Sequence, residues 1–340
     1  MYKIIKMADT SIGDDKMCTA VSLVRENHYF GRNLDLYYNY NERVTVTPRN
    51  FHFDFLMTES LKNHYAFIGM ATVEAGFPLY YDAANEAGLA IAALNFPENA
   101  RYSEPQAGKT NIAPFELIPW VLGGFKSVDE VERAVKTLNI VNLNFSDAFP
   151  NSPLHWMISD KYRSVVLEPT SNGLEIHQNP LGVLTNNPPF GVQLLLFQQY
   201  SRLSTKNPEK TFSKTVRAKP FSLGMGGLGL PGDASSPSRF VRAAFVKENS
   251  VCDGGESASV GQFFHILSSV EQQKGITLTD DGELEYTLYS SCINTQKGVY
   301  YYVTYENRSI TAVDMCKEDL NSSELITYGL IKKENITFQN

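Results

Sequence analysis

"DDKMCTAVSLVRENHYFGRNLDLYY", Asp14 to Tyr38, is the stretch whose reading decides the fold. Residues 18–24 and 28–34 alternate moderately between apolar and polar, and Glu26-Asn27 lies between them. Asparagine tolerates left-handed backbone, so the stretch reads as two strands joined by a two-residue turn. A cysteine opens the first strand, and Arg32 and Asp35 close the second. With an even turn, Arg25 faces His28 and Cys18 faces Asp35, at the short Cβ separation of directly opposed residues. Arg32 then falls on the other face, unless the strand ends or twists near Asn33. An odd turn would shift the register.

A carboxylate beside a thiol normally hinders its ionisation, because two negative charges repel. The pairing makes chemical sense if Cys18 is the first residue of a mature chain. Its α-ammonium would then be held by Asp35 through a charge-assisted hydrogen bond. An α-amino group, with a pKa of roughly 7.7–8.0, can accept the thiol proton and later pass it to a leaving amine. Arg32 would favour the thiolate. The competing reading is a buried structural cysteine with a surface arginine and aspartate, the commoner fate of a free cysteine.

The remaining 300-odd positions narrow the choice. The chain has 340 residues, 43% hydrophobic and 12% aromatic, which is the composition of a globular protein with a large core. Thirty Lys and Arg against 37 Asp and Glu give a net charge of −7. With no basic run, this argues against a nucleic-acid partner. Cys18, Cys252, Cys292 and Cys316 are far apart and the six histidines are scattered, so no metal-ligand spacing or disulfide framework emerges. Three of the four cysteines are expected to be buried free thiols. The N-terminus lacks the long apolar core of a secretion signal and no run is long enough to span a bilayer, so a cytoplasmic location is expected.

Strands are expected at 43–48, 65–72 and 88–94. Helices are expected at Pro114–Phe125 and at Ser127–Leu138, the second with a serine N-cap and acids in its first turn. A β-meander follows at 154–159, 163–168 and 173–177, with Asn172-Gly173 as a turn. Helices are expected at 190–203, Pro237–Glu248 and Ser259–Gln273, and a β-rich tail closes the chain. Strands and helices occur in blocks rather than in βαβ alternation, which points to antiparallel sheets with helices packed outside. No repeat or linker divides the chain, so one domain is expected. Gly224–Asp233 is glycine-rich but lacks the Gly-Lys-Ser/Thr ending of a phosphate loop, and reads as a loop near the active site.

"MCTAVSL" with "HYFGRNLDL" closely resembles the start of the choloylglycine hydrolase family, the N-terminal-nucleophile amidases that include bile salt hydrolases and penicillin V acylases. "YYDAANEAGLAIAALNFP" (80–97), "SPLHWMISD" (152–160), "GVLTNNPPF" (182–190), "GLGLPGDASSPSRF" (227–240), "FFHILSSVEQQKG" (263–275) and "GVYYYVTYENRSITAVDM" (298–315) resemble bile salt hydrolase segments in the same order. The resemblance runs from Met17 almost to the C-terminus. It implies an α+β fold, the αββα sandwich of two antiparallel sheets flanked by helices. It also implies a nucleophile at Cys18, an arginine at its sulfur (Arg32), an aspartate at its amine (Asp35), two site asparagines (Asn95 and Asn186) and a second arginine (Arg239). A tetrahedral oxyanion needs donors, which the asparagines would supply by side chain or backbone. By themselves Asn95 and Asn186 read equally as turn-capping residues, and Arg239 as a solvated helix residue.

Positions matching the family's pocket loops are Leu34, Tyr40, Phe77, Phe145 and Phe149. A steroid nucleus needs an apolar, concave pocket, and asparagine rather than tyrosine at position 95 leans toward bile salts. The implied activity is hydrolysis of the amide between a bile acid and glycine or taurine, through an acyl-enzyme, without metal or organic cofactor. The implied assembly is a homotetramer, with no nucleic-acid or membrane partner. Two alternatives stand beside it: a penicillin V acylase of the same mechanism, and a non-catalytic bile-acid-binding protein if Cys18 never gains a free amine.

The chain departs from the family at its start. Simple members of the family begin Met-Cys, whereas residues 1–17 here form an extension ahead of a catalytic domain spanning 18–340. Three origins are open: a propeptide removed by autolysis, an appended tag, or a true translation start at Met17. Gly-Asp-Asp-Lys-Met can be encoded with a GGAGA run close before the ATG, resembling a bacterial ribosome-binding site.

Overall fold

The computed structural model describes residues 16–209, 213–216 and 219–340. Residues 1–15 of the expected extension lie outside this set. The first two strands are β1 (Cys18–Val24) and β2 (His28–Leu36), as the opening stretch implies. Then come β3 (Arg43–Thr47), β4 (Phe67–Glu74), β5 (Phe77–Asn85), β6 (Ala90–Asn95) and the short β7 (Thr110–Ile112). Helices α1 (Leu117–Gly124) and α2 (Val128–Val135) precede β8 (Leu138–Ile140), β9 (Leu154–Ser159), β10 (Ser164–Thr170), β11 (Gly173–Gln178) and β12 (Val183–Leu184). Next are α3 (Phe190–Phe197), α4 (Ser236–Asn249) and α5 (Glu256–Ser268). The chain closes with β13 (Thr277–Leu278), β14 (Leu284–Asn294), β15 (Val299–Thr304), β16 (Thr311–Asp314) and β17 (Ile326–Gly329).

Apart from β7 and β8, which pair with each other in parallel, the strands assemble into two antiparallel sheets. One runs β12-β1-β2-β14-β15-β16, with β13 paired to β14; the other runs β11-β10-β9-β6-β5-β4-β3-β17. Ala20, Phe30 and Leu34 from the first sheet meet Val44, Val46, Ile68, Met70, Ala92 and Leu94 from the second in one buried cluster. Alternate residues of the same strands bury outward. Val21, Leu23 and Tyr29 pack with Phe263 and Leu267 of α5. Ala83, Ile91, Trp156 and Ile158 pack with Leu117, Val121, Leu122 and Val131 of α1 and α2. This is the four-layer α+β sandwich, and the two-residue periodicity of strand side chains builds it by feeding both faces of each sheet. Among the described residues no helix is long and apolar enough to cross a membrane.

The sequence reading needs correction in four places. The hairpin turn contains three residues, Arg25 to Asn27, because β1 ends at Val24 opposite His28. The Arg25 amide donates to the Asn27 carbonyl at 2.9 Å, and the Arg25 guanidinium is tied to Ser250. An odd turn moves the register by one, so Cys18 lies opposite Leu34 and not Asp35. Second, β5 is a full strand that propensity misses. "FPLYYDAAN" carries proline, aspartate, alanine and asparagine, all poor strand formers, and its pairing with β4 and β6 overrides them. Third, three expected helices end early, α5 stopping at Ser268 rather than Gln273. Residues 198–200 form a 3-10 turn after α3, and α2, capped by Ser127 as expected, stops at Val135 so that Leu138 can enter β8. Fourth, of the three remaining cysteines only Cys292 is buried; Cys252 is half-buried and Cys316 exposed.

Candidate active site

The corrected register sorts the chemistry by face. Cys18 and Ala20 of β1 point between the sheets, and so do their partners Leu34 and Arg32 on β2. Arg32 therefore lies diagonally beside the thiol on the same face, with no twist required. Its Nη2 donates to Cys18 Sγ at 2.6 Å. Nη1 is held by the carbonyls of Tyr81, at 3.1 Å, and of Ala93. A guanidinium with its fork fixed by two carbonyls is aimed rather than free to wander.

Asp35 takes the opposite face, on the side of the helices, with its backbone beside Met17 and Cys18. Its backbone amide donates to the Met17 carbonyl at 3.1 Å. Its Oδ1 accepts from Thr287 Oγ1 at 2.5 Å, and its Oδ2 is buried with no hydrogen-bond partner among the described residues. The Cys18 amide donates to Asn186 Oδ1 at 2.8 Å. Arg239, fully buried although it sits in the first turns of α4, completes this side. It donates to the Cys18 carbonyl, to Thr19 Oγ1 at 2.7 Å, to Asn186 Oδ1 at 2.7 Å and to the Ala234 carbonyl at 2.9 Å. Ala234, the residue after the glycine-rich loop, thus joins that loop to Arg239.

Asn186 is oriented by its neighbours. Its Oδ1 takes two donors, so its Nδ2 faces the Asn95 carbonyl, to which it donates at 2.8 Å. Its backbone is held by Ser236 Oγ and Gln193 Nε2. Asn95 and Asn186 are therefore brought together at the end of β6, beside Cys18.

The charges respond to burial. Burial pushes the Cys18 thiol above its ordinary value, Arg32 and Arg239 pull it down, and Asp35 adds to the rise. Burial pushes the Asp35 carboxyl up to about 6, against the pull of Arg239, the Thr287 hydroxyl and Arg32. With an amide nitrogen at Cys18, Asp35 has only the hydroxyl as a donor to its carboxylate. An ammonium at the same position would reverse that balance.

The five pocket residues divide. Leu34 is the direct cross-strand neighbour of Cys18 and is buried. Tyr40, Phe149, Phe145 and Phe77 form a continuous half-buried aromatic run, with successive ring centroids 6.2, 6.3 and 5.8 Å apart. Phe115 extends it through Phe77 and Phe145. A separate cleft of about 450 Å³ is lined by Ser22, Arg25, Arg163 and Lys247, and none of the predicted site residues borders it. No group of three or more His, Cys, Asp or Glu among the described residues is arranged to hold a metal.

Sequence reasoning missed Glu285 and Thr287, which grip the ends of the Cys18 region from β14. The Met17 amide donates to Glu285 Oε1 at 2.5 Å. Alternation in "LEYTLYSS" puts 285 and 287 on one face, but nothing local shows that this face meets β2, 250 residues upstream.

Residues 18–328 match the family described as linear amide C–N hydrolases, choloylglycine hydrolase family. The chain is 54% identical over 314 residues to a protein of Lactiplantibacillus plantarum named bile salt hydrolase/transferase, covering 92% of this chain and 97% of that one. A crystal structure of a variant of conjugated bile acid hydrolase from Clostridium perfringens superposes with a TM-score of 0.88 at 38% identity, covering 95% of this chain and all of that one. Penicillin V acylase from Agrobacterium tumefaciens shares the fold, with a TM-score of 0.73 at 20% identity, covering 92% and 91%. With the match spanning nearly the whole sandwich and including the hairpin that carries the thiol, the chain belongs to the choloylglycine hydrolase family of linear amide C–N hydrolases.

Proposed function

We propose that this protein is a bile salt hydrolase, cleaving the amide between a bile acid and glycine or taurine with Cys18 as nucleophile. The observation that carries the reading is the split around Cys18: a cation at its sulfur, the Asn186 amide oxygen at its nitrogen, and close by a buried Asp35 carboxylate whose Oδ2 has no hydrogen-bond partner among the described residues. Residues 1–17 are an extension that must leave, and 18–340 form the catalytic domain. Once Cys18 has a free amine, Asp35 holds it as ammonium and Asn186 Oδ1 accepts from it. The unprotonated amine takes the thiol proton, and Arg32 steadies the thiolate. Sulfur attacks the amide carbonyl, and the developing oxyanion is stabilised by donors from the Asn95 and Asn186 segments. The ammonium returns its proton to the departing amino acid. Water, activated by the same amine, then releases the bile acid from the thioester. Arg239 keeps the Cys18 carbonyl, Thr19 and Asn186 in register. Leu34, Tyr40, Phe77, Phe145 and Phe149 offer an apolar wall to the steroid.

The test begins with the mature N-terminus, read by intact mass and sequencing. Glycine and taurine release from glycocholate and taurocholate is assayed on the same sample, with penicillin V as a competing substrate. A chain beginning at Cys18 that releases amino acid supports the reading, and Cys18→Ser is expected to lower the rate by at least about 10³-fold. Full activity in a chain still carrying Met17 would sink it. Faster cleavage of penicillin V would favour the acylase reading, and tight bile-acid binding without release would favour a binding protein. A homotetramer is what the family resemblance implies, and a cytoplasmic location is the expectation from the sequence. Cell fractionation and light scattering test them.

A further inference from the structure

Asp82 has no role in the reaction as described so far, yet it is fully buried in the same polar core as Arg32. It sits on β5 and accepts three hydroxyl hydrogen bonds from the opposite sheet. Tyr289 Oη reaches its Oδ1 at 2.8 Å, while Ser291 Oγ and Tyr300 Oη each reach its Oδ2 at 2.9 Å. A carboxylate sealed between two sheets with three donors aimed at it is a built feature, because a buried charge is tolerated only when it is paired and hydrogen-bonded.

Two separate links join it to Arg32. Ser291 Oγ, which donates to Asp82, also accepts the Arg32 backbone N–H at 3.0 Å. The second link is a β-bulge. Met70 pairs with Asp82 while Ala71 pairs with Tyr80, so Tyr81 is left out of the β4–β5 ladder. The Tyr81 carbonyl turns instead to Arg32 Nη1. Bulges re-aim groups in this way beside functional sites. The guanidinium's own hydrogen bonds go to carbonyls and to sulfur, so its counter-charge comes from carboxylates it does not touch, and Asp82 is one of those that help hold its proton.

We propose that Asp82 is a positioning residue for the nucleophile: through Ser291 and the Tyr81 bulge it fixes Arg32 between the sheets so that Nη2 points at Cys18 Sγ. The inference rests on the reading of Cys18 as nucleophile. It makes a prediction whose sign is informative. The largest influences on the thiol are burial, Arg32, Asp35 and Arg239. If Asp82 supplied only a diffuse negative field, removing it would make the thiol more acidic. If it aims Arg32, removing it makes the thiol less acidic, because the sulfur loses its cation.

The experiment uses processed enzyme beginning at Cys18, with Asp82→Asn and Ser291→Ala variants. The pH dependence of Cys18 alkylation by iodoacetamide is read by mass spectrometry of the N-terminal peptide, beside the pH profile of glycocholate hydrolysis. In Asp82→Asn the alkylation midpoint is expected to rise by about one pH unit, and kcat to fall about tenfold with KM within about threefold. Ser291→Ala should move both in the same direction by less. An unchanged or lowered midpoint in Asp82→Asn overturns the inference. If that variant does not fold, Ser291→Ala is judged by the same criterion. Should Cys18 of the parent enzyme react no faster than the exposed Cys316, the nucleophile reading itself fails, whatever the variants do.

Discussion

Cys18 has different neighbours at its sulfur and at its backbone: Arg32 reaches the sulfur, and Asn186 Oδ1, itself held by Arg239, accepts from the nitrogen. Asp35 lies near enough to push the thiol up, against the pull of the two arginines. In the unprocessed chain the arrangement is uncomfortable. The Asp35 carboxyl is pushed from its ordinary 3.8 to about 6, so the folded protein binds that proton more tightly than the unfolded chain does. The resulting stabilisation is complete below about pH 4 and is lost as pH rises through about 6. At pH 8 the ionised, half-satisfied carboxylate is a net cost of up to about 3 kcal/mol. Asp35→Asn in the unprocessed chain is therefore expected to raise stability at pH 8 and leave it nearly unchanged at pH 4, as measured by urea denaturation at both values. If Cys18 gains the free α-amine proposed above, the same substitution is expected to lower activity instead, because the carboxylate would then hold the α-ammonium.

At the scale of the element, β2 owes its precision to small features around Arg32. Gly31 precedes it, and a Cβ there would come within 2.0 Å of the Ser291 carbonyl oxygen on β14. That contact is with backbone and cannot be relieved by a side-chain rotation. Gly31→Ala is expected to push β2 away from β14, costing about 3 kcal/mol or more and taking Arg32 out of reach of the thiol. The check is a lowered denaturation midpoint together with a kcat loss that lower temperature does not restore. The β1–β2 turn makes the same point by parity. One extra residue in the turn moves Asp35 to the helix side of the sheet and brings Arg32 to the sulfur. A β-strand has a side-chain period of two, so a slip of one exchanges the faces completely.

For the molecule as a whole, the nucleophile lies between the sheets, and the outer layer meets the site through Ala93 and Phe77. The inner cluster between the sheets carries Cys18 and Leu34, while the outer cluster under α1 and α2 touches neither. Leu122 is fully buried in that outer cluster. Leu122→Ala should cost roughly 2–5 kcal/mol of stability through the cavity it leaves. At 25 °C its kcat/KM for glycocholate should stay within about twofold of the parent, read from unfolding curves and initial rates on one preparation. A matching loss of activity would mean that the outer layer tunes the site.

Local signals were enough to identify most helices, the hairpin, the antiparallel class and the cysteine at the head of β1. The Ser127 cap and the two-residue alternation are physics of neighbours, and the sequence by itself determined them. Ordered family motifs carried Asn95, Asn186 and Arg239, whose side chains read locally as turn caps or a solvated helix residue. Only the tertiary structure decided the face on which each group acts. That depended on the three-residue turn, the bulge at Tyr81, and the pairing of β2 with a strand some 250 residues away. Parity and long-range pairing are set by the packing of two sheets against each other. No window of neighbouring residues contains that information.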